Sequence, residues 1–452
     1  MISRSVATMR QSALVRGGLV VGAGILAGNV VGFVRVGVTA WFLGTHGSAD
    51  ALAVAVGPVD TVATAVINTL LVAFVPMLML RGVDERSVMF AKASRAFAWI
   101  FAALSAAIFL FSSSLVSLLG PGLPPPEHQQ ATILLRILAP AIFFAGSSSI
   151  FAALLYTERR FTVPAFYQAC VNGAMVFAAV LLWKPFGVYA FAVGYTVGTA
   201  IQLGLTWHAS RSLITLLPGT RVAAPSLREI LVKPGMFLLY AALISANILV
   251  TRAVATHAGP GMAAAFDYCL RCISVVVAYL VYPVANSLVP EIAQLQLANQ
   301  TSRAYSLMGR SVRLTAAFAL AAVGVGLMVR TQAIAILFER GSFTPESTAL
   351  VSAVFLGFAP AILGWTLMDL GSRCLFALNR PKLPVVAALV PVGMNLAVML
   401  ALGWPYSTVQ PSMLAIGASV GLLGGFAALF AGLRISRVVP VAEAEPAHAA
   451  VN

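Results

Sequence analysis

The chain has 452 residues, of which 60% are hydrophobic and only 9% charged, with a mean hydropathy of +0.94 and a formal net charge of +14. A water-soluble globule cannot cover that much apolar surface, so the composition excludes a soluble enzyme or binding module. In a bilayer the backbone must be satisfied within the protein, which leaves helices or a closed barrel. The apolar runs are long and continuous, unlike the short alternating segments of barrel strands.

A bilayer core of roughly 30 Å calls for about 20 mostly apolar residues per helix. In chain order, hydropathy predicts spans over residues 17–43, 49–80, 97–119, 131–156, 166–183 and 188–207. A second set follows over 234–254, 263–289, 314–329, 350–377, 384–402 and 413–433. The chain therefore reads as an all-α polytopic membrane protein of about twelve transmembrane helices. Its expected parts are an N-terminal segment 1–16, a first six-helix lobe 17–208, a connection 209–233, a second six-helix lobe 234–437 and a disordered tail 438–452.

Loop charges test that drawing, because cytoplasmic loops collect Lys and Arg. Arg4, Arg10 and Arg16 precede the first span; Arg81, Arg86, Lys92 and Arg95 follow the second; Arg159 and Arg160 follow the fourth. Arg211, Arg221, Arg228 and Lys233 follow the sixth, Arg303, Arg310 and Arg313 the eighth, Arg380 and Lys382 the tenth, and Arg434 and Arg437 the twelfth. The opposite side holds only Lys184, Arg330 and Arg340. The asymmetry puts both termini in the cytoplasm and turns the net charge into an orientation signal. The basic residues are scattered over short loops, which is not the pattern of a nucleic-acid-binding domain.

Weak echoes link the halves. Tyr156-Thr-Glu-Arg-Arg160-Phe-Thr-Val-Pro164 after the fourth span matches Leu378-Asn-Arg380-Pro-Lys-Leu-Pro384 after the tenth, and Ala73-Phe-Val-Pro76 matches Ser287-Leu-Val-Pro290. Repeats of six spans each run parallel, related by a pseudo-two-fold axis along the membrane normal, as in transporters whose substrate path lies between halves. Pro58, Pro76, Pro140, Pro164, Pro283, Pro290, Pro360 and Pro391 are candidate hinges. Cys170, Cys269, Cys272 and Cys374 all fall within spans and read as small buried residues rather than a disulfide or metal framework. No Walker motif is present, and no cofactor is implied.

Several stretches resemble the MurJ/MviN family of lipid-linked oligosaccharide flippases, in the multidrug/oligosaccharidyl-lipid/polysaccharide exporter superfamily. They are Val31-Gly-Phe-Val-Arg35, Ala49-Asp50-Ala51, Ala73-Phe-Val-Pro76, Phe161-Thr-Val-Pro164 followed by Asn172, and Leu337-Phe-Glu-Arg-Gly-Ser-Phe-Thr344. The resemblance implies two six-helix lobes that expose a central cavity alternately to each side of a bacterial inner membrane. It also implies a substrate carried on a polyprenyl diphosphate, lipid II being the family's best known case. Arg35 and Arg271 match two of the family's cavity arginines. Asn29 and Ala63 stand where the family carries two more, and Asp50 matches a retained acidic position.

The charges can be read without the family. An Arg at the bilayer centre costs roughly 2.5 to 3.5 kcal/mol to insert, so one kept there faces a cavity or a partner. Arg271 and Arg35 lie deep, and guanidinium forks match the oxygens of a diphosphate. The alternative for Arg271 is an intrahelical pair with Asp267, four residues before it, as Asp369 stands before Arg373. Asp60 is a candidate partner for Arg35 or a member of an ion-coupling site. The candidate substrate residues are thus Asn29, Arg35, Asp50, Asp60, Asp267 and Arg271. The expected partners are a polyprenyl-diphosphate-linked saccharide, membrane lipids, and a coupling ion or the membrane potential. The rival functions are an exporter of small molecules or drugs and a membrane glycosyltransferase or ligase acting on lipid-linked sugars.

Overall fold

The computed structural model describes residues 2–79, 82–215, 227–403, 406 and 409–438. Fifteen α-helices account for them. The first lobe holds α1 (Ile2–Leu43), α2 (Gly47–Met79), α3 (Val83–Leu110), α4 (Ser112–Leu119), α5 (Pro125–Thr157), α6 (Thr162–Ala165), α7 (Tyr167–Phe186) and α8 (Tyr189–Thr215). The second holds α9 (Leu227–Ala258), α10 (Met262–Leu297), α11 (Thr301–Phe338), α12 (Pro345–Phe358), α13 (Ala361–Ala377), α14 (Lys382–Leu402) and α15 (Pro411–Val438). Part of the expected connection 209–233 (residues 216–226) and all but one residue of the expected tail 438–452 lie outside the described residues.

Ten of these helices are long and apolar enough to cross a membrane, and α12 with α13 forms an eleventh span bent by 50°. The bend falls at Ala359 and Pro360, where the proline cannot donate to the helix ladder. The sixth expected span, 188–207, is α8, which runs the required length but carries Thr196, Thr199, Gln202, Thr206 and Ser210. The last four of these are buried, and the hydroxyls are spent on helix carbonyls: Thr196 Oγ1 on Ile137 O at 2.7 Å, Ser210 Oγ on Thr206 O at 2.7 Å. Their polarity lowers the hydropathy of α8 without exposing polar atoms to lipid. The third expected span is likewise two helices, α3 and α4, broken at Phe111. Of the candidate hinges, Pro58, Pro76, Pro140, Pro283, Pro290 and Pro391 sit inside continuous helices.

The echo between halves is physical. At the end of α5, Arg159 adopts φ 56° and Arg160 N–H donates to Leu155 O at 2.8 Å. At the end of α13, Asn379 adopts φ 57° and Arg380 N–H donates to Leu375 O at 2.9 Å. Both are the left-handed C-terminal turn in which the residue beyond the cap reaches back to satisfy an orphan carbonyl. Asn299 at φ 57° closes α10 in the same way, through Gln300 N–H to Leu295 O.

The lobes are joined at one end of the bundle and separate toward the other. At the joined end Asp50 Oδ1 accepts from Ala264 N–H at 2.8 Å and Asp50 Oδ2 from Gly261 N–H at 2.5 Å, so α2 caps the N-terminus of α10 across the lobes. Gly261 has φ +82°, and a side chain there would meet Thr45 O. The Leu337–Thr344 motif folds into the turn that completes the seal: Ser342 N–H donates to Trp41 O at 2.8 Å, and Phe338 and Phe343 are buried around Tyr268, whose hydroxyl donates to Gly44 O at 2.8 Å. Gly341 at φ +62° admits the carbonyl of Trp41, which a Cβ would strike at 2.5 Å. A single apolar core runs through both lobes here. Toward the other end, the core of the first lobe, around Phe74, Met89, Phe90 and Phe101, is a separate cluster. This open end carries Arg86, Arg159, Arg160, Arg303 and Arg380.

Candidate functional site

Between the lobes lies a cavity of ≈ 690 Å³, lined by α1, α2, α5, α7 and α8 on one side and α9, α10 and α13 on the other. Of the sequence-predicted residues, Asn29, Arg35, Asp60, Asp267 and Arg271 all line it. Asp50 does not; its carboxylate is 3% exposed and both oxygens are engaged at the α10 N-terminus. In this structure it joins the lobes. Ala63, where the family resemblance puts a further arginine, also faces the cavity.

The alternative pair of Asp267 with Arg271 does not form. Asp267 instead accepts from Nε of Arg252 at 3.0 Å and from its Nη2. Helix spacing favours an i,i+4 pair on paper, but the neighbouring α9 brings the nearly fully buried Arg252 closer, with 4% of its side chain exposed. Arg252 is a cavity residue that sequence reasoning missed, because the pair lies fifteen positions apart on two helices. Asp369 and Arg373 do form the expected pair, in a bidentate geometry at 3.0 and 3.2 Å. Arg373 lies over the Tyr282 ring at 5.4 Å.

Arg271 is left without an ion pair among the described residues. Its guanidinium crosses from α10 to rest on Gly32 of α1, where a Cβ would lie 2.0 Å from Nη2, with Asn172 Nδ2 alongside. Arg35, one turn along α1, has among the described residues only the Met175 sulfur as a side-chain hydrogen-bond partner, at 3.6 Å. Asp60, within electrostatic reach of both arginines, is held by the Tyr195 hydroxyl at 3.1 Å. The Nε groups of Arg35 and Arg271 are buried without hydrogen-bond partners. Gly57 of α2 makes a second socket, with Arg252 Nη1 1.9 Å from where its Cβ would be. Two lobe-two arginines thus lodge against two lobe-one glycines, which a sequence shows only as glycines in helices. Two donor forks from different lobes, short of acceptors in one enclosed space, are suited to an anion with several oxygens.

The comparisons agree with this architecture. The model of the family described as "Lipid II flippase MurJ" matches residues 40–444. The chain belongs to the MurJ family. It is 24% identical over 431 residues to a probable lipid II flippase MurJ of Rhizobium meliloti, covering 90% of this chain and 77% of that one. To the lipid II flippase MurJ of Burkholderia cenocepacia it is 24% identical over 332 residues, covering 70% of this chain and 64% of the relative. Among solved structures, lipid II flippase MurJ in an inward closed conformation superposes with a TM-score of 0.79 at 17% identity, over 92% of this chain and 87% of that one. An inward-facing MATE-family multidrug transporter gives 0.73 at 13% identity, over 91% and 95% of the two chains. The fold is thus shared beyond the family, with a MATE-family transporter, and the chain is a multi-pass membrane protein.

Proposed function

We propose that the protein is a flippase that carries a polyprenyl-diphosphate-linked saccharide, of the lipid II kind, across the bacterial inner membrane. The observation that carries this reading is the pair Arg35 and Arg271: one from each lobe, both lining the cavity, neither in an ion pair among the described residues. The basic loops at the open end support a cytoplasmic position for that end and for both termini. The cavity is then open to the side on which lipid-linked precursors are made, and the Asp50, Tyr268 and Ser342 contacts seal the far side.

A ligand shifts a conformational equilibrium only by binding one state better than the other. A diphosphate held by Arg35 and Arg271 together favours the state in which the lobes approach around it, closing the cytoplasmic mouth. Rupture of the far-side contacts then exposes the same site to the periplasm. The polyprenyl chain stays in the bilayer throughout, reaching the site between the lobes. A drug-exporter reading would want free carboxylates for a cationic ligand. Here Asp267 and Asp369 are paired with arginines, which leaves Asp60 as the one cavity carboxylate without an ion pair among the described residues, against the two arginines Arg35 and Arg271.

The test is binding of a polyprenyl diphosphate to the purified protein by native mass spectrometry, against polyprenyl monophosphate as control. The unmodified protein should prefer the diphosphate, and Arg35→Ala/Arg271→Ala should lose that preference while staying folded. Undiminished preference in the folded double variant would overturn the assignment.

A further inference from the structure

A stripe of cavity residues runs along α10 from the arginine site toward the open end: Arg271, Ser274, Val275, Ala278 and Tyr282. Their spacing of three, four and seven puts them on one helix face. Arg271 and Tyr282 are eleven residues apart, about 16 Å along the axis. The residues between are small, so the stripe is the floor of a groove. At its far end three rings meet, and a fourth lines the same cavity. Phe237 stacks on Phe376 with centroids 3.8 Å apart, Tyr240 meets Phe376 edge-on at 5.7 Å, and Tyr282 lies beneath Arg373 with 38% of its surface exposed. All four rings line the cavity.

The charge at this end is cancelled. Arg373 is committed to Asp369 through two hydrogen bonds, so the platform is no second anion site. It offers ring faces beside a rim of carboxylate, guanidinium and phenol groups, all within a neutral whole. That combination matches a ligand with apolar C–H faces and a margin of hydroxyl and amide groups, which is the surface of a sugar ring.

Resting on the flippase reading above, we propose that Tyr282, with Phe237, Tyr240 and Phe376, forms a saccharide platform that receives the sugars while Arg35 and Arg271 hold the diphosphate. The spacing along α10 exceeds one sugar ring, so the platform selects a lipid carrying more than one. Aromatic contact sets the discrimination, and Asp369 and Arg373 orient the hydroxyl groups.

The experiment measures binding of two probes by native mass spectrometry: a polyprenyl diphosphate that is bare, and one that carries an N-acetylated disaccharide. The unmodified protein should prefer the glycosylated lipid. Tyr282→Leu should lose about tenfold of that preference and leave binding of the bare lipid unchanged, whereas Tyr282→Phe, which keeps the ring, should retain it. Phe376→Leu should act in the same direction, so that the outcome does not rest on one variant folding. Equal loss for both probes would make the rings structural and overturn the platform. Equal affinity of the unmodified protein for both probes would also overturn it, while leaving the diphosphate site standing. Failure of the unmodified protein to bind either would refute the flippase reading and the platform together.

Discussion

Gly32→Ala separates binding from stability more cleanly than any change to the arginines themselves. The new methyl would lie 2.0 Å from Arg271 Nη2 and 3.1 Å from its Cζ, with the Asn172 amide nitrogen also at 3.1 Å. Non-bonded heavy atoms settle at about 3.5 Å, so the guanidinium must retreat by about 1.5 Å, and the asparagine blocks one route. Such a shift takes the fork out of bidentate reach of a diphosphate seated against Arg35. Hydrogen bonds to a charged group contribute roughly 1.5 to 3 kcal/mol, so affinity for polyprenyl diphosphate should fall by roughly 10- to 150-fold. The fold should not suffer, because alanine is favoured over glycine in a helix by about 1 kcal/mol, which offsets the cost of moving a side chain into open cavity. The assay pairs lipid binding with thermal unfolding of the same detergent-solubilised sample. Unchanged affinity at unchanged melting temperature would show that Arg271 need not occupy this socket to bind, and would refute the geometry proposed for the site.

Other expectations follow from individual contacts. Arg252→Leu leaves Asp267 without its partner and should destabilise by about 3 kcal/mol, with Arg252→Leu/Asp267→Leu recovering much of the loss; denaturation of the two variants checks this. In the corresponding cycle Asp267 and Arg271 should be additive within about 0.5 kcal/mol, and stronger coupling there than between Asp267 and Arg252 would contradict the observed pairing. The Thr45 and Ser347 hydroxyls lie 2.8 Å apart across the lobes, so Thr45→Cys/Ser347→Cys should oxidise readily and arrest lipid translocation until reduced. Transport at the normal rate by the crosslinked protein would mean that the lobes do not part at that end. Arg271→Lys keeps the charge and loses the fork, and should lower diphosphate affinity by about tenfold in the same mass-spectrometric assay.

The membrane class, the pairing of loops with charge and the existence of two halves were legible because each rests on a property summed over many residues. Hydropathy found the long helices, α8 among them in spite of its inward polarity, and missed the breaks in their path. Buried Thr199, Gln202, Thr206 and Ser210 make α8 less apolar than its neighbours, and a break at Phe111 divides one span into α3 and α4. The echo after the fourth and tenth spans was legible for a local reason: a left-handed residue closing a helix leaves the same short pattern wherever it recurs. The depth of Arg35 and Arg271 could be counted from the span ends.

What could not be counted was which groups neutralise which. An i,i+4 spacing is visible in one helix, while the competing partner comes from another helix whose rotation no periodicity fixes. Asp267 therefore goes to Arg252, and that exchange leaves Arg271 available. The same limit hid Gly32 and Gly57, whose meaning lies in the arginines opposite them. It also hid the aromatic cluster, whose members come from three helices and are ordinary one at a time. Asp50 shows the converse. Its sequence context suggested a substrate group, yet a carboxylate at the joined end has unsatisfied helix N–H groups within reach and is drawn to them. The charged residues between the lobes thus divide by what surrounds them: Asp50 finds backbone donors of the other lobe and joins the two, Arg252 finds Asp267 within its own lobe and a glycine socket across from it, while Arg35 and Arg271 form no ion pair among the described residues and remain available to an anion.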